Sequence, residues 1–227
     1  IPNPYDDSQF TLFRDWKEGG HGVTNAEKAL AESVNTYFYA IGGGYKGQKG
    51  LGISGIEKYI KIFEIGSKTG IDIEGEVVGI VPSPEWKKKT FKNDQVWRLG
   101  DTYHTSIGQY GFLVTPIQML RAMSSIANFG TLVTAHVLQD SPLTFQKLSE
   151  DFTLEDYEVI HRGLRKVITE GIGQVLNVPY VDIAAKTGTA QTGFRNQFVN
   201  SWVVGFFPYD KPKYAFVLLM ERGPSKA

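Results

Sequence analysis

The chain has 227 residues, 41% of them hydrophobic and 13% aromatic, enough to build a core in one large domain. Its 24 basic and 24 acidic residues cancel, which argues against nucleic acid as a partner. With no Cys, disulfides and thiolate metal sites are excluded. No apolar run is long enough to span a bilayer, and the first residues lack the layout of a signal peptide. The opening Ile1-Pro2-Asn3-Pro4 reads like the interior of a longer protein.

Residues 1–23 are punctuated by Pro2, Pro4, Gly19, Gly20 and Gly22 and read as irregular. Thr24-Asn25-Ala26-Glu27 reads as a capping box opening a helix to about Ile41, with Leu30, Val34, Tyr37, Phe38 and Ile41 toward the core. Ser33 and Asn35 fall inside that helix, where a polar pair is ordinarily a solvated face. The glycines at 42, 43, 44, 47, 50 and 52 predict a loop. Ser54-Gly55-Ile56-Glu57 reads as a second capping box, for a helix to Glu64 that closes on Gly66. From Ser67 to Thr102 the pattern predicts mainly loop, with Lys87-Lys88-Lys89 as an exposed basic run.

Thr115-Pro116-Ile117-Gln118 is a third capping box, with Pro at the favoured first helical position. Its helix should reach Asn128 and stop before Gly130, with Ser124 and Ser125 as helix surface or core filler. A short strand is expected over Thr131 to Val137. Thr153 should cap a helix over 154–169 with Tyr157, Ile160, Leu164, Val167 and Ile168 on one face and Gly171 beyond its end. The remaining pattern predicts strands near 182–191, 199–207 and 213–221, the last two joined at Pro208 to Pro212. The expectation is an α+β fold, an antiparallel sheet flanked by helices, in a single domain spanning 1–227.

Within the first of those strands lies Ala185-Lys186-Thr187-Gly188-Thr189. Lys186 offers a cation, the two threonines offer short donors, and Gly188 lacks the Cβ that would hold another backbone away. An extended substrate bearing a carboxylate suits such a strand; a lysine-bearing turn between strands is the plainer reading. Ser33-Val34-Asn35, some 150 residues earlier, makes the pattern far more specific, because Ser-x-Asn followed downstream by Lys-Thr-Gly belongs to the penicillin-recognising serine acyl-transferases.

The framing residues narrow the resemblance. Gly20-His21-Gly22, Ser33 to Tyr39, Thr69-Gly70-Ile71-Asp72, Trp97 to Asp101, Ser106-Ile107-Gly108-Gln109, and Thr115 to Gln118 with Ile126 to Gly130 occur in the order of one subfamily. Across essentially its whole length the chain resembles class B penicillin-binding proteins of the elongation type. The resemblance implies a penicillin-binding protein/β-lactamase-like transpeptidase fold and a peptidoglycan D,D-transpeptidase acylated by β-lactams. It implies a stem peptide ending in D-Ala-D-Ala as substrate, and as partners the glycan polymerase and rod-shape scaffold proteins of the elongation complex. It also implies an inner-membrane protein whose catalytic domain lies on the periplasmic side.

The same resemblance implies residue roles. Lys186 holds the substrate carboxylate region with Thr187 and Thr189, and Gly188 lets the substrate backbone lie on the strand. The Thr189 N–H is an oxyanion donor. Ser33 relays a proton to the leaving amine, and Asn35 holds the substrate amide and orients the catalytic lysine.

Four departures stand out. No Ser in residues 1–227 has Lys three positions on, so the nucleophile of the family's Ser-x-x-Lys motif is expected upstream of Ile1. Two alternatives therefore stay open: a catalytically inactive scaffold module, and a β-lactamase or β-lactam sensor. Ala185 and Tyr110 stand where the family usually has Gly and a small residue. Some relatives bind a metal through Asp, His and Cys near the Ser-x-Asn helix; Asp15 and His21 match, but Val34 occupies the Cys position, and neither metal nor cofactor is expected. His104, His136 and His161 are expected to be ordinary surface or core histidines.

Overall fold

A computed structural model describes residues 1–3, 6–148 and 151–224; Pro4 lies outside them. The chain forms two compact units, Ile1–Thr24, Val34–Tyr59 and Val81–Phe112 in one, and Asn25–Ser33, Ile60–Ile80 and Leu113–Ala227 in the other.

The first unit contains strands β1 (Pro2–Asn3) and β2 (Asp6–Phe10). Its helices are α2 (Asn35–Gly43), most of α3 (Gly52–Ile62), α4 (Pro84–Thr90) and α5 (Leu99–Ser106). The glycines at 42 and 43 are helical rather than loop, and their purpose is close packing. A Cβ on Gly42 would sit 2.4 Å from Ser106 Cβ, and one on Gly43 would sit 2.3 Å from the Tyr103 ring. Tyr103 stacks on Tyr39 at 5.4 Å and donates to Gly44 O, tying α5 to the end of α2. α3 begins at Gly52, ahead of Ser54, because Gly52 with φ +69° makes the entry turn; the expected second capping box is not used.

The stretch expected to be loop contains α4, capped by Ser83, whose hydroxyl accepts the Trp86 N–H at 3.0 Å. Lys87 is not part of an exposed run. It is 1% exposed and pairs with Asp101 at 2.7 Å and Asp94 at 3.2 Å, partners that lie 14 and 7 residues on and bring opposite charge to a buried ammonium. Tyr110 packs with Trp86, Phe91 and Trp97 near the same lysine, which gives the large residue at that position a structural use.

The second unit contains α1 (Ala26–Ala31), α6 (Pro116–Ala127) and α7 (Leu154–Thr169). It also contains β3 (Thr131–Val133), β4 (Phe145–Lys147), β5 (Ala184–Thr192), β6 (Phe198–Phe207) and β7 (Tyr214–Pro224). Here the expected caps hold: Thr115 with Gln118 opens α6, and Thr153 with Asp156 opens α7, each with reciprocal bonds. Ser125 is core filler, fully buried with its hydroxyl on Ala122 O. The short strand ends at Val133 and pairs with β4, a partner too brief to read from pattern.

The last three strands form an antiparallel sheet in the order β5-β6-β7. Met123 and Ala127 of α6 and Leu164 of α7 pack against Ala184, Val204 and Phe206 of this sheet. Val167 and Ile168 of α7 pack on Ala185. The unusual Ala185 fits because its cross-strand partner is Gly205, where a Cβ would come within 2.6 Å of the Ala185 Cβ and 2.4 Å of Ala184 O. One methyl fills a space that cannot hold two.

The expected helix from Thr24 to Ile41 is two helices. Asn25, not Thr24, is the cap of α1, its side chain accepting the Lys28 N–H at 2.9 Å. Ser33 then takes φ +54°, and α2 starts afresh at Asn35. That break changes the helical phase, so Ala29, Ala31, Val34 and Tyr39 are buried whereas Ile41 is exposed.

The packing at Gly205 makes a prediction. Gly205→Ala should destabilise the fold by ~2–3 kcal/mol in chemical denaturation, and adding Ala185→Gly should restore only part of it, because the clash with the Ala184 backbone oxygen stays. A Gly205→Ala protein as stable as the parent would contradict the shared-methyl account.

Candidate active site

Strand β5 presents the Lys-Thr-Gly-Thr run along one edge of the sheet. Its other edge pairs with β6 in unbroken register, Lys186 opposite Val204 and Gly188 opposite Trp202, and among the described residues no further strand joins it. An edge strand offers unpaired N–H and C=O groups to an incoming extended chain. Thr187 is half-buried, while Gly188 and Thr189 are exposed. A Cβ at Gly188 would meet only Trp202 Cβ, at 3.5 Å, so internal packing does not require glycine there.

Lys186 turns inward. Its Nζ donates to Ser33 Oγ at 2.9 Å and to Thr187 O at 2.8 Å, joining the two sequence motifs across 153 residues. Among the described residues no carboxylate pairs with it. Burial pushes its pKa down to about 8, because an ammonium in low dielectric loses hydration that two neutral oxygens only partly replace. At neutral pH it therefore stays mostly cationic, with unmet demand for an anion.

Helix α7 sets the spacing between Ser33 and Lys186. On one side its Val167 and Ile168 press on Ala185, next to the lysine. On the other it receives α1 at close range, since Cβ atoms on Gly163 and Gly171 would fall 2.6 Å from Leu30 Cδ1 and 2.1 Å from Ala31 O. Glu27 of α1 pairs with Arg162 and Lys166 of α7, both at 2.8 Å, and Ile172 N–H donates to Ala31 O at 3.2 Å. Ser33 follows two residues after α1 ends. Gly163 was not singled out in the sequence, and Glu27 and Gly171 were read only as a capping-box residue and a helix stop, although glycines eight apart flanking a helix face are a readable mark of close approach.

Asn35 is the first residue of α2 and belongs to the other unit, so the site residues brought together are Ser33 and Lys186 with the Thr187–Thr189 edge. Asp15 and His21 do meet, at 2.9 Å with both side chains nearly buried. Val34 at the third position is buried hydrocarbon, and among the described residues no three His, Cys, Asp or Glu side chains gather. His161 is a core histidine bonded to Ile126 O, and His136 is exposed.

Residues 2–227 match the family described as "Penicillin binding protein transpeptidase domain". The chain is 36% identical over 233 residues to the peptidoglycan D,D-transpeptidase MrdA of Acinetobacter baumannii, covering 93% of this chain and 34% of that protein. Penicillin-binding protein 2 (PBP2) from Helicobacter pylori superposes with a TM-score of 0.79 at 37% identity, over 94% of this chain and 39% of that one. The same protein solved in complex with MreC matches at 0.79 and 37%, over 92% of this chain and 38% of that one. The chain thus spans about a third of the length of the curated relatives it matches.

The buried cation carries its own prediction. Ionised Lys186 opposes folding below pH about 8, and the opposition fades as pH rises toward the ordinary lysine value of 10.5. Lys186→Met should therefore stabilise the protein by ~1–3 kcal/mol at pH 7, with the gain shrinking between pH 8 and 10.5 in denaturation series. A loss of stability at pH 7 would contradict the desolvation account.

Proposed function

The chain belongs to the penicillin-binding protein transpeptidase domain family, and from that premise we propose that the protein carrying it crosslinks peptidoglycan stem peptides through a serine acyl-enzyme during cell elongation. The observation that carries the reading is Lys186: a buried ammonium held by two neutral oxygens, beside an open strand edge, at a distance from Ser33 that suits proton exchange. A stem peptide ending in D-Ala-D-Ala is extended and terminates in a carboxylate, so it meets both features at once. It pairs with the exposed edge of β5 while its carboxylate lies in the field of Lys186 and the hydroxyls of Thr187 and Thr189. Gly188 leaves the approach clear, and the Thr189 N–H faces the developing oxyanion.

In the proposed reaction the serine Oγ attacks the carbonyl carbon of the penultimate D-Ala. The peptide C–N bond breaks, and the leaving amine takes a proton through Ser33. Terminal D-Ala departs, and an acyl ester remains on the serine. An amine on a neighbouring stem then attacks that ester; the new amide bond forms the crosslink, the ester C–O bond breaks, and a proton from the attacking amine goes to the serine oxygen. A β-lactam enters the same path when its ring amide opens on the serine. Asn35 holds the substrate amide and orients the lysine beside the nucleophile.

Residues 1–227 serve in this proposal as one transpeptidase domain. The nucleophile and its Ser-x-x-Lys lysine come from parts of the protein outside this sequence, since no Ser here has Lys three positions on. Attachment to the inner membrane with the domain on the periplasmic face also rests on such parts; no helix among the described residues is long and apolar enough to cross a membrane. The complex of the Helicobacter pylori relative with MreC supports an assembly with rod-shape scaffold proteins, and a glycan polymerase partner follows from the same elongation role.

In the full-length protein, Lys186→Ala should slow acylation by a β-lactam about 100- to 1,000-fold while circular dichroism shows an intact fold. Acylation at the parent rate would remove Lys186 from the site.

A further inference from the structure

Helix α2 begins without a cap of its own. Val34 stands at its N-cap with no side-chain bond, and its first turn carries no acidic residue, so the N-cap residue itself leaves the leading N–H groups to other partners. The partner comes from 21 residues upstream. One carboxylate oxygen of Asp15 accepts the Thr36 backbone N–H at 2.9 Å and the Thr36 hydroxyl at 3.0 Å. The other accepts the Trp16 N–H at 2.8 Å and lies 2.9 Å from His21 Nε2.

The arrangement is built rather than incidental. The Asp15 and His21 side chains are 5% and 2% exposed, and the Trp16 ring packs edge-on against His21 at 5.5 Å. Gly19, Gly20 and Gly22, all with positive φ, turn the chain so that His21 returns to Asp15. Burial acts to raise the Asp15 carboxyl, yet the bonds from the Thr36 N–H, His21, the Thr36 hydroxyl and the Trp16 N–H outweigh it and hold the group below its ordinary value.

The N–H of Thr36 belongs to the peptide plane whose carbonyl is that of Asn35. A carboxylate fixed on that N–H therefore fixes the backbone torsion on the C-terminal side of Asn35, and with it the base from which the Asn35 amide projects. We infer that Asp15, backed by His21, is a positioning residue for Asn35, a cap supplied in trans that works without metal in this chain. With Val34 in the third position, the Asp15 oxygens are engaged by N–H and O–H donors where some relatives place a cation. The inference rests on the substrate-holding role proposed above for Asn35.

The test is a double-mutant cycle on the full-length protein with Asp15→Ala, Asn35→Ala and both. β-Lactam acylation is split into saturation constant and limiting rate, below each variant's melting temperature. Asp15→Ala should lower acylation about 10- to 100-fold, in the same parameter that Asn35→Ala lowers, and the double variant should match Asn35→Ala within about twofold. Asp15→Asn keeps an acceptor for the Thr36 N–H and should recover most of the rate; if Asp15→Ala does not fold, Asp15→Ser, whose hydroxyl is too short to hold the Thr36 N–H, closes the cycle. Added zinc or a chelator should change neither rate nor melting temperature.

A purely structural Asp15 would lower the melting temperature and leave acylation unchanged, or would multiply with Asn35→Ala, and either result overturns the inference. Zinc-dependent stabilisation overturns its metal-free part. A parent protein that no β-lactam acylates fails earlier, at the proposed function, and then Asn35→Ala changes nothing. In that case amide exchange at Thr36 still decides the cap: equal protection in the parent and Asp15→Ala contradicts it.

Discussion

Helix α7 is the spacer on which the candidate site depends. One side bears on Ala185 beside the lysine, and the other holds α1, whose end leads into Ser33. A covering helix usually keeps its distance through side-chain bulk; here Gly163 and Gly171 remove that bulk, and Glu27 with Arg162 and Lys166 fixes rotation and register. These packing distances bring Lys186 and Ser33 within 2.9 Å, where the ammonium donates to the hydroxyl. That bond offsets only part of the desolvation of the ammonium, whose burial opposes folding.

That opposition fits a site organised for an anion. Lys87 is buried and Lys186 half-buried with its ammonium turned inward, and the two have opposite solutions. Lys87 is matched by Asp94 and Asp101, which raise its pKa against the lowering effect of burial, and it belongs to the framework. Among the described residues Lys186 has no such match, and its pKa falls to about 8. Stability given up at one position, beside an open strand edge, is characteristic of residues kept for chemistry.

Much of this was legible where the physics is local. The caps at Thr115 and Thr153 depend on partners three residues on, and the three long strands on alternation and turn residues, so both appear where expected. The cap of α1 slipped by one residue because Thr24 and Asn25 are both good caps and only tertiary packing chooses. Helix α4 carried a readable signal in Ser83-Pro84-Glu85 that the surrounding prolines and glycines obscured. The burial of Lys87 and the Asp15 bond to Thr36 rest on partners 7 to 21 residues away, beyond the reach of a local pattern, and the positive φ of Ser33 is equally invisible to periodicity. For the site, motif resemblance named Ser33, Asn35, Lys186 and the Thr187–Thr189 edge. Geometry brings Ser33 to Lys186, and α7 explains how.

The central claim is that these residues bind and align a substrate for a serine that they do not themselves contain. The most direct measurement is peptide mapping of the full-length protein after reaction with a β-lactam. The account predicts one adduct per molecule, on a serine outside residues 1–227 that is followed three positions later by lysine. An adduct on Ser33, or a folded full-length protein that takes up none, would contradict it.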